Sequence, residues 1–226
     1  MRTTSRISGP LPGVCVSVAE RTVAAARDAT SGLPFSEIRL DALVDPGASV
    51  RDLFGRPGIR IATCRSGGPD DPRKAAMLLD AVEAGAAFVD IELDLRAALK
   101  NELLGAARAA DCLVIISHHD FKRTPSRAEL DALVGRCFEA GADVAKLACS
   151  VNSPSDCARL VGLLDDARDV VVAGMGPLGP RARVAALLAG APFVYASLTK
   201  GRETAPGQID FRTLEEIREH FARVGI

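Results

Sequence analysis

Short β-branched segments recur along the whole chain, and helical patterns lie between them. The strand-like segments occupy residues 14–18, 35–40, 59–64, 88–93, 112–117, 144–149, 170–174 and 193–198. The intervening segments have the apolar spacing of amphipathic helices, as in residues 75–85 and 128–141, and each of these two ends at a glycine. Regular alternation of strand and helix favours parallel strands, and eight such units close into a barrel. The sequence therefore predicts an α/β fold of the (β/α)8 TIM-barrel class.

The structural alternative is an open, doubly wound parallel sheet. That fold usually carries a glycine-rich phosphate turn after its first strand. Here the first strand is followed by A-E-R-T-V (19–23), which cannot cradle a pyrophosphate in the usual way. A chain of 226 residues suits one well-packed core. We therefore expect a single (β/α)8-barrel catalytic domain over residues 1–226.

Charge and cysteine content limit the partners and the compartment. A formal net charge of -1 gives no electrostatic case for a nucleic-acid or anionic-membrane partner, so we expect a small-molecule substrate. The six cysteines form no C-x-x-C pair and no Cys/His spacing typical of zinc sites, which predicts no structural metal. Four of them lie in apolar segments, where free thiols act as small hydrophobic groups, which predicts a reducing compartment: Cys15, Cys64, Cys112 and Cys149. The N-terminal residues lack an apolar signal core, and no stretch approaches the roughly 20 apolar residues of a membrane span. We expect a cytoplasmic protein.

Charged side chains recur at alternate positions of strands two and four. Because strand side chains alternate between faces, Glu37, Arg39 and Asp41 share one face, and so do the charged residues of V-D-I-E-L-D (89–94). Helices cover the outer apolar face of a barrel, so these charges should point into the lumen. Buried charges cost several kcal/mol unless they are paired, which predicts a network. An active site is one interpretation. The alternative, for Asp90 and Glu92 and also for Glu37 and Arg39, is ion pairing that serves packing alone.

One lysine and one pair of adjacent histidines are the strongest candidates for catalytic residues. Lys146 lies in the apolar strand sequence V-A-K-L-A, where partial desolvation favours the uncharged amine that attacks carbonyl groups. The alternative is a structural lysine paired with a carboxylate. His118 and His119 follow the fifth strand, at the end where barrel enzymes place their chemistry. Because the two are adjacent, only one of them can face the mouth.

Seven motifs, in register at consecutive strand ends, resemble the type I 3-dehydroquinate dehydratases over nearly the whole chain. They are E-I-R-L-D (37–41), T-C-R-S-G-G (63–68), V-D-I-E-L (89–93), S-H-H-D-F-K-R-T-P (117–125), G-A-D-V-A-K-L-A (141–148), M-G-P-L-G (175–179) and A-P-G-Q-I (205–209). Each motif alone is a weak signal. Their shared order along the chain makes the resemblance specific.

The resemblance implies a reaction and a set of site residues. Lys146 would form an imine with the C3 ketone of 3-dehydroquinate, and His119, not His118, would act as general acid and base to yield 3-dehydroshikimate. The implied substrate-binding residues are Glu37, Arg39, Arg65, Arg183 for the carboxylate, Thr204 and Gln208; of these, only Thr204 differs from the expected residue type. No metal or organic cofactor is implied. The family also suggests a homodimer.

Two departures from the family pattern bear on function. The family usually reads R-S-x-x-E-G-G after its third strand, and this chain reads R-S-G-G (65–68), three residues shorter and without the acid that normally lies by the histidine and a substrate hydroxyl. Asp70 or Asp71 would have to reach back, or the histidine would work untuned, or the substrate would differ. The milder departure is A-R (182–183) in place of S-R.

Two other functions remain open at this point. A class I aldolase also uses a lysine on the sixth strand of this fold, although it would need a glycine-rich anion site after strands seven and eight. A catalytically degenerate relative would only bind a cyclitol-like carboxylate, and the missing acid motivates that hypothesis.

Overall fold

A computed structural model describes residues 9–44, 50–65 and 71–225, and within these ranges eight strands alternate with eight helices. The strands are β1 (Val14–Val18), β2 (Phe35–Arg39), β3 (Ile59–Thr63), β4 (Phe88–Glu92), β5 (Leu113–Asp120), β6 (Val144–Ser150), β7 (Val170–Met175) and β8 (Val194–Ser197). The helices are α1 (Val23–Ala29), α2 (Arg51–Phe54), α3 (Pro72–Glu83), α4 (Ala97–Ala109), α5 (Arg127–Glu139), α6 (Pro154–Val161), α7 (Gly179–Leu188) and α8 (Phe211–Arg223). All eight predicted strands are present.

The strands form one parallel sheet in which chain neighbours are also sheet neighbours. The order is β7-β6-β5-β4-β3-β2-β1-β8, so β1 pairs with β2 on one side and with β8 on the other. A doubly wound sheet would instead reverse direction at a switch point. The sheet curls into a nearly closed (β/α)8 TIM barrel, which confirms the predicted fold class.

The apolar core has an outer and an inner layer. The outer layer lies between strands and helices, and the inner layer fills the lower lumen. Three rings, Phe35, Phe88 and Phe193, form the centre of that inner layer, with centroids 5.0–6.3 Å apart. Since these rings occupy the bottom of the barrel, polar side chains of the same strand faces are left to the upper lumen, at the carboxyl ends of the strands.

Strand ends differ from the sequence predictions in two ways that matter for the site. β5 continues to Asp120, so His118 and His119 lie inside the strand and not after it. β2 ends at Arg39, and Asp41 belongs to a 3-10 turn, Leu40–Ala42. The prediction that Asp41 continues the charged strand face is therefore wrong, because the backbone turns before that residue.

None of the helices in the described ranges has the length and apolar character that crossing a membrane requires. Among the same residues, no group of three or more His, Cys, Asp or Glu side chains is arranged to hold a metal ion.

Candidate active site

A cavity of about 300 Å³ opens at the carboxyl ends of the strands. Its polar lining contains all eight side chains that the sequence singled out, namely Glu37, Arg39, Arg65, His119, Lys146, Arg183, Thr204 and Gln208. Apolar side chains, among them Ala148, Ala173 and Met175, form another part of the wall. The structure thus brings together candidate residues from β2, β5 and β6, from the end of β3, from α7 and from the loop after β8. Their individual roles are predictions.

Lys146 points into the lumen and is 5% exposed. Its Nζ lies 2.9 Å from Oδ2 of Asp90 and 3.3 Å from Oε1 of Glu37. It also lies 3.9 Å from the centroid of the Tyr195 ring, a geometry that attracts a cation. The amine is therefore held on three sides, with the remaining space facing the cavity.

Both carboxylates next to Lys146 are kept ionised. Burial works to raise the pKa of Glu37, but Lys146 and Arg39 outweigh it and hold that pKa below its usual range. Burial likewise opposes ionisation of Asp90, and Arg65 and Lys146 nevertheless hold its pKa well below the usual range. The lysine therefore shares its site with two negative charges.

Asp90 is the most highly connected acid of the site. It accepts hydrogen bonds from Nη2 of Arg65, from Oγ of Ser117 at 2.6 Å and from Lys146. Three donors satisfy a fully buried carboxylate that would otherwise be costly. Asp90 thus fixes the positions of two candidate site residues, Arg65 and Lys146.

Glu37 connects Lys146 to the loop after β8. One carboxylate oxygen accepts from Thr63 at 3.0 Å, and the other accepts from Oγ of Ser17. Ser17 in turn accepts from Oγ1 of Thr204 at 2.7 Å. A continuous set of hydrogen bonds thus runs from the A-P-G-Q loop to the lysine.

Hydrogen bonds within the loop after β8 (residues 204–208, which contain A-P-G-Q) and from Arg39 hold this loop in place. Gln208 accepts from the Thr204 backbone N–H at 2.7 Å, and Arg39 reaches the Thr204 carbonyl at 3.4 Å while pairing with Asp41 at 2.7 Å. A Cβ on Gly207 would lie 2.7 Å from the Gly176 carbonyl, and its φ is +80°. Only glycine fits there without strain, and it lets the loop pack directly against the backbone that follows β7.

His119 faces the main cavity, whereas His118 lines neighbouring cavities with Arg136. Burial, together with Arg65 and Lys146, lowers the pKa of His119 to about 2. Its ring stacks on Phe121, with centroids 6.0 Å apart and planes at 15°. The imidazole is therefore neutral at physiological pH and available as a base.

Arg183 closes the gap between β7 and β8. From α7, its Nε donates to the Gly174 carbonyl on β7 at 2.9 Å and its Nη1 donates to the Tyr195 carbonyl on β8 at 3.0 Å. α7 can approach β7 closely because Gly174 has no Cβ. A Cβ at that position would lie only 2.7 Å from the Ala182 Cβ. Arg183 also lines the cavity, and its Nη2 takes part in neither of these two hydrogen bonds.

Replacing Arg183 with methionine is expected to lower both stability and substrate affinity. Two buried carbonyls would lose their donor, at about 1–3 kcal/mol each. Urea unfolding and KM measurements test this, with Arg181→Met as the matched control because Arg181 lies on the same helix and is exposed. A variant with raised KM and unchanged stability would show that the two carbonyl contacts do not hold the barrel together.

Comparison with known proteins assigns the family. The model of the type I 3-dehydroquinase family matches residues 14–222. The chain belongs to this family. A 3-dehydroquinate dehydratase from Methanothermobacter thermautotrophicus is 38% identical over 211 residues, covering 87% of this chain and 91% of that protein.

Solved structures show the same fold. The 3-dehydroquinate dehydratase from Geobacillus kaustophilus superimposes with a TM-score of 0.81 at 20% identity, covering 96% of this chain and 94% of its own. The enzyme from Aquifex aeolicus gives a TM-score of 0.79 at 25% identity, covering 93% and 99%. Membership of the type I 3-dehydroquinase family decides against the class I aldolase hypothesis.

Several site residues of this 3-dehydroquinase were not singled out by the sequence analysis. Ser17, Thr63 and Ser117 donate to the buried acids, and Tyr195 lies under the lysine. Strand alternation was the available signal, because each occupies an inward position. Strand alternation gives no signal for Lys74, which lies on helix α3.

The loop after β3, which is shorter than the family pattern expected from the sequence, lies mostly outside the described residues. Asp70 lies outside the described residues, as do Gly67 and Gly68. Asp71 caps α3, with its carboxylate accepting from the Arg73 backbone N–H at 2.9 Å. Asp71 is therefore engaged at the helix start and does not reach back to the histidine. The second departure is accommodated by packing, because Ala182 fills the close contact with Gly174.

Proposed function

We propose that this chain is a lyase that converts 3-dehydroquinate to 3-dehydroshikimate, and so serves the shikimate pathway and aromatic amino-acid biosynthesis. The observation that carries the proposal is a lysine amine, buried between two ionised carboxylates, that faces one cavity together with a neutral imidazole. The family match over residues 14–222 supports the same reaction.

The amine and the imidazole divide the chemistry. Lys146, once deprotonated, adds to the C3 ketone, and loss of water gives an iminium ion that acidifies the neighbouring C2 proton. His119 takes that proton, leaving an enamine. The resulting imidazolium protonates the C1 hydroxyl, which departs as water while the enamine electrons form the ring double bond. Hydrolysis of the iminium then releases the product and restores the lysine.

The charges around the lysine suit a positive intermediate. Six side chains form one run of alternating charge in the order Lys74, Glu92, Arg65, Asp90, Lys146 and Glu37, and the charges of these six sum to zero. Of the other cations that line the cavity, Arg39 is paired with Asp41, and Arg183 would be paired with the substrate carboxylate. An iminium ion on Lys146 keeps that sum, whereas a neutral imine leaves one net negative charge in a poorly solvated place. The network therefore favours the electron-withdrawing form of the intermediate.

The remaining candidate residues would orient the ring. Arg183 would bind the substrate carboxylate through Nη2, which takes part in neither of its two hydrogen bonds to backbone carbonyls. Glu37, Arg39, Arg65, Thr204 and Gln208 would bind ring hydroxyls. We further propose a cofactor-free cytoplasmic homodimer with one catalytic domain; the six free cysteines support the reducing compartment.

Incubation of the purified protein with 3-dehydroquinate tests the proposal. We expect enone absorbance to rise, and borohydride added during turnover to leave a covalent adduct detectable by intact mass. Turnover should be unaffected by a metal chelator. An adduct without turnover would instead support a relative that only binds its ligand. If the protein gave neither an adduct nor turnover, the proposal would be overturned.

A further inference from the structure

A second buried lysine lies at the edge of the site. Lys74 belongs to the first turn of α3, which begins just after the shortened loop, and it is 3% exposed. Its Nζ pairs with Oε2 of Glu92. Lysine is rarely this buried on a surface helix, because ordering and desolvating the ammonium is costly unless a specific partner compensates. The pair therefore needs an explanation.

Glu92 faces the cavity from the end of β4. It lies two residues beyond Asp90 on the same inward strand face, and its side chain is 21% exposed. Together with His119 and Phe121 it lines both the main cavity and the neighbouring one. Lys74 engages Oε2, and among the described residues no donor lies within hydrogen-bond distance of Oε1, so that oxygen can accept a hydrogen bond from a bound molecule.

Arg65 offers a donor beside that oxygen. Its Nη2 is used by Asp90, while its Nη1 is 3.8 Å from Oε1 of Glu92, beyond hydrogen-bond distance. Nη1 is buried and has no hydrogen-bond partner among the described residues. A buried donor without a partner, next to an available acceptor on a cavity wall, suits a hydroxyl group, which both donates and accepts.

We infer that Glu92 accepts a hydrogen bond from a ring hydroxyl of the substrate, with Nη1 of Arg65 donating to the same hydroxyl, and that Lys74 is the positioning residue for Glu92. This inference rests on the proposed function. Glu92 thereby supplies the carboxylate that the R-S-G-G loop (65–68) lacks. Without Lys74, Glu92 would compete with Asp90 for Arg65. Because Lys74 pairs with Glu92, Arg65 stays paired with Asp90.

Four variants test the inference, with Glu92→Gln as the first. We expect kcat/KM for 3-dehydroquinate to fall about 10- to 100-fold, mostly through KM, because a charged acceptor is lost. Lys74→Met should give a smaller loss in the same direction. The double variant should match Glu92→Gln alone, because Lys74 acts through Glu92. Lys100→Met is the matched control, since Lys100 donates to the carbonyl of Leu93, next to Glu92, and lies outside the cavity lining.

The outcomes separate this inference from the proposed function. Wild-type protein without turnover would overturn both. Wild-type turnover with Glu92→Gln within twofold of it would overturn the inference alone, as would additive losses in the double variant. Thermal unfolding of each variant identifies losses that arise from misfolding; if Lys74→Met unfolds, Lys74→Arg keeps the charge and should retain the wild-type KM. A substrate analogue that lacks the ring hydroxyl bound by Glu92 cannot make this contact in either protein. We therefore expect it to bind Glu92→Gln and the wild type with equal affinity.

Discussion

We expect the substitution Lys146→Met to abolish both turnover and the borohydride-stable adduct. The amine is the only atom of this side chain that can bond covalently to a ketone, and removing a covalent nucleophile costs about 10^4-fold or more in rate. Intact mass after borohydride treatment measures the adduct, and enone absorbance measures turnover. The wild-type protein should show both signals under the same conditions.

The same substitution should also change stability, which a second variant separates from chemistry. Methionine leaves Glu37 and Asp90 without the ammonium between them, and breaking a buried ion pair costs about 3–5 kcal/mol. Lys146→Arg keeps a positive charge and lacks a nucleophilic amine. It should lose the adduct while retaining more stability than Lys146→Met. An adduct that persists in both variants would place the nucleophile elsewhere, and Lys74 is the first residue to examine.

The sequence predicted the barrel and the inward charges because both follow from short-range periodicity. Side chains alternate along any strand, so once residues 144–149 are recognised as a strand, Lys146 must share a face with Val144 and Ala148. The observed strand Val144–Ser150 has that arrangement, and the three residues point into the lumen. Predictions of this kind need only the strand and the side of the sheet that helices cover.

Contacts set by tertiary placement were beyond the reach of periodicity. Arg183 bridges two strands because α7 packs closely on β7, a distance that no spacing in the sequence encodes. Lys74 reads as a solvated helix residue, yet the rotation of α3 turns it inward. Asp71 was a candidate for the missing acid, and local helix capping engages it first. In each case a neighbouring element decided the outcome.

His119→Asn should slow turnover by about 10^2- to 10^4-fold, the usual contribution of a general acid and base. The imidazole is well placed for both roles. As a neutral ring it can accept the C2 proton, and once protonated it lies near Arg65, whose positive charge favours passing the proton on to the departing hydroxyl. Asparagine keeps a polar side chain of similar size and cannot carry the proton. Stopped-flow measurement of enone formation gives the rate.

The pH dependence of the wild-type protein tests the same environment. A free histidine would give kcat/KM an acid limb near pH 6.5. Because burial, Arg65 and Lys146 lower the pKa of His119 to about 2, the base stays deprotonated in the free enzyme, and kcat/KM should show no histidine limb near that pH. A limb at about pH 6.5 that disappears in His119→Asn would contradict this electrostatic account. The variant should still form the borohydride adduct, since imine formation uses Lys146; loss of the adduct would mean that the histidine also acts in that earlier step.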